Sequence, residues 1–99
     1  MTVAYAPTVP TATVVLVGDA DACRARLQAD LEALDGSGAE VTVNLDGVDR
    51  IDSPLLAALV LGMKRLERHG GSLTVIAQRP DVLRLLGQTG LDRILLPRS

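Results

Sequence analysis

A mostly parallel α/β sheet is the fold class this sequence predicts, and three observations carry it. Short apolar segments at residues 13–17, 41–45 and 72–77 have the length and the Val, Leu and Thr content of strands. Longer segments between and after them carry leucines at spacings of three and four, the period of a helix face. Gly, Pro and Asp stand at the boundaries. Strands alternating with helices imply parallel pairing through right-handed crossovers. We expect four to five strands packed with about three to four helices. A single domain over residues 1–99 is expected, with an arm at 1–12 and a core at 13–96.

The arm contains Pro7 and Pro10, and its residues 2–5 are an expected edge strand. Residues 13–17 (TVVLV) are the first core strand. Its unbroken apolarity suggests burial on both faces or a central position, and Gly18 ends it. A helix follows to about Leu34, capped by Asp19 or Asp21, with Cys23, Leu27, Leu31 and Leu34 on one face. The stretch at 35–38 is a loop. Residues 41–45 alternate Val41, Val43 and Leu45 against Thr42 and Asn44, so they form a strand with one buried face.

After a loop at 46–52, Ser53-Pro54 opens a second helix to about His69. Pro is favoured at the first helical position, which makes Ser53 the expected N-cap. Leu56, Leu59, Val60, Met63 and Leu66 form the expected core stripe. Leu55, Ala58 and Leu61 fall off it, so part of their surface is expected at the exterior. Gly70-Gly71 stops the helix. A strand at 72–77 and a helix at 80–89 follow, the latter with Val82, Leu85 and Leu86 inward and Gly90 as its left-handed stop. Residues 94–96 are an expected short strand or irregular tail. The expected sheet core comprises Val15, Val17, Val43, Leu45, Val75 and Ile76, with Leu27, Leu31, Leu59 and Met63 packed on it.

Composition narrows the function. The 99 residues are 47% hydrophobic and 22% charged, an ordinary globular balance, and the net charge is −2. An acidic chain argues against a nucleic-acid or anionic-membrane surface. Tyr5 is the only aromatic residue, so no platform for stacking bases exists. The single cysteine, Cys23, allows no internal disulfide and fits a reducing cytosol. The start of the chain has no signal-peptide pattern, and no apolar run approaches a membrane span, so a cytoplasmic location is expected.

In a parallel sheet, sites gather at the carboxyl ends of the strands. Those ends carry Gly18-Asp19-Ala20-Asp21 and Asp49-Arg50-Ile51-Asp52-Ser53. Aspartates there could bind a divalent cation, but capping and loop roles account for Asp21 and Asp52 without one. Ser53 has no neighbouring His or Lys to serve as a base, and His69 sits at the far end of its helix, so a nucleophilic triad is not supported. Cys23 lies on an apolar stripe and reads as a small core residue. No glycine-rich phosphate loop follows a strand. No catalytic residues, metal or cofactor are therefore expected, and an interaction module is favoured over an enzyme.

Four motifs in order carry a resemblance. Gly18-Asp19-Ala20-Asp21 is similar to a Gly-x-Leu-Asp segment. Asp52-Ser53-Pro54-Leu55-Leu56 stands where an Asp-Ser-Ser/Ala-Gly-Leu motif opens a helix. Gly70-Gly71 and Thr89-Gly90-Leu91 match a Gly-Gly and a Thr/Ser-Gly-Leu. Over residues 13–96 the chain resembles the STAS domain family, in particular bacterial anti-sigma factor antagonists. The resemblance implies a transcription regulator that works by partner switching. Such a protein binds an anti-sigma factor, often a serine kinase of the histidine-kinase ATPase fold, until phosphorylation blocks the interface. The family's phosphorylated position is Pro54 here, which cannot accept phosphate, so Ser53 becomes the candidate phosphorylation site.

The expected partner-binding face comprises Asp21, Asp49, Arg50, Asp52, Ser53, Leu55, Ala58 and Leu61. A STAS subunit of an ATP-driven lipid or solute transporter is a second reading. A small metal-dependent or phosphoryl-transfer enzyme is a third. The oligomeric state is left open.

Overall fold

The computed structural model describes residues 11–34, 36 and 38–96. Their order is β1 (Thr11–Gly18), α1 (Ala20–Ala33), β2 (Glu40–Val48), α2 (Ser53–Arg68), β3 (Ser72–Ile76), α3 (Pro80–Thr89) and α4 (Asp92–Leu95). The described sheet has three strands in the order β1-β2-β3, all parallel, rather than four to five. The expected edge strand at residues 2–5 lies outside the described residues. The expected strand at 94–96 falls instead on α4 and the residue after it. Leu91 and Leu95 stand four residues apart, so one helical turn turns both towards the core while Ile94 points out. A strand would have set Ile94 and Leu96 on one face.

Strands that step in one direction through right-handed crossovers carry their helices on one face of the sheet. The burial pattern has that form. Val14, Leu16, Val41, Val43, Leu45, Leu73 and Val75 join α1, α2, α3 and α4 in one buried cluster with Leu27, Leu31, Leu59 and Met63. The other face carries Val15 at 46% exposure, Val17 at 70% and Ile76 at 41%. These three were expected in the core and are not. Val75 and Ile76 are adjacent in a strand of period two, so only one of them can face inward. β1 is an edge of the described sheet with one open face, not a strand covered on both.

Helix ends follow local chemistry. Asp19 caps α1, its Oδ1 accepting from the Ala22 N–H at 2.8 Å. α2 ends in a Schellman turn: Gly70 has φ +82°, its N–H donates to the Glu67 carbonyl, and the Gly71 N–H donates to the Leu66 carbonyl at 2.8 Å. A Cβ on Gly71 would strike the Ala39 carbonyl oxygen, so that turn packs directly on the start of β2.

Candidate functional site

The carboxyl ends of β1 and β2 are tied together by the Asp49 N–H, which donates to the Gly18 carbonyl at 2.8 Å. The β1–α1 turn, with Asp19 and Asp21, thus lies beside the loop at 49–52. Asp21 is in the first turn of α1, fully at the surface, and meets Arg24 only at 3.6 Å. Cys23 is buried beneath this turn. Burial raises its thiol pKa, and the charges of Asp19 and Asp49 raise it further, so it is a protonated core residue.

β2 continues three residues beyond the expected 41–45 and is irregular there. Val15 pairs with Asn44, but Val17 pairs with Gly47, so β2 carries one extra residue between them. Buried positions shift accordingly, from Leu45 to Val48 rather than to Gly47. The Asn44 side chain takes the Asp46 N–H at 2.9 Å, which holds the bulge. Gly47 passes close under β1. A Cβ there would lie 2.8 Å from the Leu16 carbonyl oxygen and 2.9 Å from Val17 Cγ2.

The bulge directs Asp46 at the β3–α3 turn. Its Oδ1 accepts from the Gln78 and Arg79 N–H groups at 2.8 and 3.1 Å. Arg79 returns the link: Nη1 donates to the Val48 carbonyl at 2.5 Å and to the Asp46 carbonyl at 3.4 Å. Its Nε and Nη2 grip Asp81 through both carboxylate oxygens, at 3.1 and 2.6 Å. That fork, chiefly its side-chain hydrogen bond, holds the exposed Asp81 carboxyl below its usual range. Arg79 and Asp46 were not singled out from the sequence. The Arg-Pro-Asp run at 79–81 was a local signal for the fork. Nothing local signals the bonds to Asp46 and Val48, more than thirty residues away.

The start of α2 differs from expectation. Asp52, not Ser53, is the N-cap: its Oδ1 accepts from the Leu55 N–H at 2.9 Å, and Ser53 and Pro54 are the first two helical residues. A carboxylate outcompetes the next hydroxyl because its bond to a helix N-terminus is charge-assisted. Ser53 is exposed, and no hydrogen bond ties its hydroxyl among the described residues. Leu55 is fully buried and Ala58 is buried, contrary to the expected exposure; Leu61, at 61%, is exposed as expected. Two surfaces cover α2, which widens its buried stripe beyond one face. Leu55, Leu59 and Leu66 belong to the buried cluster that includes the sheet, while Ala58 and Gly62 line a groove with Leu31 of α1, and Gly62 also adjoins Leu73 of β3.

The expected face is therefore divided. Asp49, Arg50, Asp52 and Ser53 share the carboxyl edge with Asp21. Leu61 lies two turns along α2, beside Arg65, on the α1–α2 groove. A cleft of about 260 Å³ opens on the other side of the loop, where Asp49, Arg50 and Ile51 face Arg79, Arg84 and Gln88. Among the described residues no group of three or more His, Cys, Asp or Glu side chains could hold a metal. Among them, too, no helix is long and apolar enough to cross a membrane.

Comparison with known proteins bears on the fold and the family. A crystal structure of a candidate anti-sigma factor antagonist from Thermotoga maritima is similar, with a TM-score of 0.62 and 25% sequence identity, over 83% of this chain and 70% of that one. Comparison with the curated proteins gave no match. The family described as "Mlab, STAS domain" matches residues 3–97. With that match spanning nearly its whole length, the protein belongs to the STAS domain family.

Proposed function

We propose that this protein is an anti-sigma factor antagonist, a cytoplasmic bacterial module that binds an anti-sigma factor and so releases a sigma factor for transcription. Its work in this reading is binding, without catalytic residues or cofactor. One observation carries it. The loop at 49–53 is fixed at both ends, by the Asp49 and Asp52 bonds, while Asp49, Arg50 and Ser53 are exposed at the carboxyl edge of a STAS sheet. A rigid loop that presents polar groups is preorganised for a partner and loses little entropy on binding. The similar Thermotoga maritima protein, a candidate antagonist, supports the choice of partner class. The proposed face is Asp21, Asp49, Arg50, Asp52 and Ser53, with Leu61 as an outlying apolar contact.

The test is an affinity capture from the native host with the full chain as bait. Recovery of an anti-sigma factor, often a serine kinase of the histidine-kinase ATPase fold, and sigma release in a transcription assay are expected. Recovery of the ATP-binding subunit of a lipid or solute transporter would replace this reading with the transporter one.

Within this reading the protein binds without a phosphoswitch. Pro54 has no hydroxyl and no N–H, the Leu55 N–H is committed to Asp52, and the Asp52 carboxylate repels an incoming dianion. The usual helix-start attraction for phosphate is thus largely used up. Incubation with the anti-sigma kinase and ATP is expected to leave the intact mass unchanged. One added phosphate, absent in Ser53→Ala, would restore the switch at Ser53.

A further inference from the structure

We infer that the cleft between the 48–51 segment and α3 is a docking point for an acidic peptide segment of the partner, held by Arg50 and Arg84. The partner class rests on the proposed function; the chemistry of the cleft rests on its own residues. Three guanidinium groups, those of Arg50, Arg79 and Arg84, line one cleft of a chain whose net charge is −2. Arg79 is committed, through its fork on Asp81 and its bonds to the Asp46 and Val48 carbonyls. Arg50 and Arg84 are exposed and have no ion pair among the described residues. Setting the Arg79–Asp81 pair aside leaves two cations against the one carboxylate of Asp49.

The two free arginines come from different elements, a tied loop and a helix, so the spacing between them is set by the fold rather than by one flexible segment. Ile51 and Leu85, both half-buried, line the same cleft and supply an apolar wall for the methylene stem of a glutamate or aspartate neighbour. Arginine suits this role because its planar fork matches a carboxylate in two-point contact. An anionic membrane fits less well, since a polybasic surface needs several cations on one open face and the rest of this chain is acidic. The cleft adjoins the exposed Asp49 and Arg50 of the proposed binding loop, so a partner seated on that loop reaches it without a second, separate contact.

The first experiment titrates the full chain with fluorescein-labelled hexaglutamate at low salt and reads anisotropy. Saturable binding is expected, weakened about tenfold by Arg50→Glu with Arg84→Glu, given the usual worth of exposed charge pairs. Unlabelled hexaglutamate should displace the probe from the cleft. Both side chains are exposed, so the circular dichroism spectrum should be unchanged. Absence of hexaglutamate binding, or equal binding by the double variant, would overturn the inference, as would arginine-dependent flotation with phosphatidylglycerol vesicles.

The second experiment measures capture of the anti-sigma factor by Arg84→Glu, a residue outside the proposed loop. About threefold weaker capture with a shallower salt dependence is expected. Equal capture by wild type and variant would sink the inference and leave the proposed function standing. If the wild type fails to capture any anti-sigma factor while hexaglutamate still binds through Arg50 and Arg84, the proposed function falls and the acidic-segment cleft remains.

Discussion

The covered face of the sheet and its carboxyl edge are built by different forces. The covered face is Val14, Leu16, Val41, Val43, Leu45, Leu73 and Val75 under α1 and α2, joined only by apolar contact. The carboxyl edge is held by directed polar bonds: Asp19 to Ala22, Asn44 to Asp46, Asp46 to Gln78 and Arg79, Asp52 to Leu55, and Arg79 to Val48 and Asp81. Apolar burial is strong and undirected, so it sets stability and tolerates shape changes poorly. A hydrogen bond adds about 1 kcal/mol net but fixes direction, so the edge sets where loops point. The two regions should therefore respond differently to mutation: large stability losses on one, displaced loops and lost binding on the other.

Leu59→Ala gives the largest expected effect. Leu59 is fully buried between sheet and helices, and its truncation should cost about 2–5 kcal/mol in chemical denaturation. An unchanged midpoint would show that the covered face does not carry stability. Next comes Gly47→Val, where a Cβ meets the Leu16 carbonyl and Val17. Overpacking of this kind costs about 1–3 kcal/mol, and the bulge should be seen to move in amide chemical shifts of 44–48. If stability and shifts both stay put, the bulge is not held by close contact.

Asp46→Ala follows. It strips the acceptor from two N–H groups at 78 and 79, and a loss of about 1–2 kcal/mol is expected. Partner capture should fall more than stability does, because the loop at 49–52 loses its brace through Arg79. Capture that tracks stability alone would erase the distinction between the two regions. The smallest effect is expected from Val17→Thr on the open face, within about 0.5 kcal/mol. A large loss there would mean that the open face is covered in solution.

Acid titration sharpens the same contrast. Asp81 has its pKa lowered in the folded protein by the Arg79 fork. Its contribution is therefore present above the ordinary carboxylate value and lost as pH falls through the lowered one. Asp81→Asn should flatten the acid limb of stability slightly and leave stability above neutral pH to the loss of the fork alone. An acid limb identical to wild type would show the fork to be open in solution.

The element types were written locally, in spacing and punctuation. The stripe of Cys23, Leu27 and Leu31, the alternation at 41–45, Pro80 and Gly90 each act within a few residues, so α1, the start of β2 and α3 were legible. The same reasoning misplaced Val15, Val17 and Ile76 because a strand's apolarity does not say which of its faces a helix will cover. It also misplaced the cap at α2. Asp52 and Ser53 are both good caps, and the carboxylate prevails because its bond to the helix N-terminus is charge-assisted.

What the sequence by itself determined was the strand-and-helix alternation, the family motifs and the placement of a polar loop at a helix start. Tertiary structure alone decided which sheet face is covered, how Asp46 and Arg79 brace the loop, and that Arg50 and Arg84 line one cleft. The physical reason is range. Propensity, caps and periodicity act between near neighbours in the chain, whereas Asp46 with Arg79 and Gly47 with Leu16 join residues about thirty apart that meet only after the parallel strands have paired.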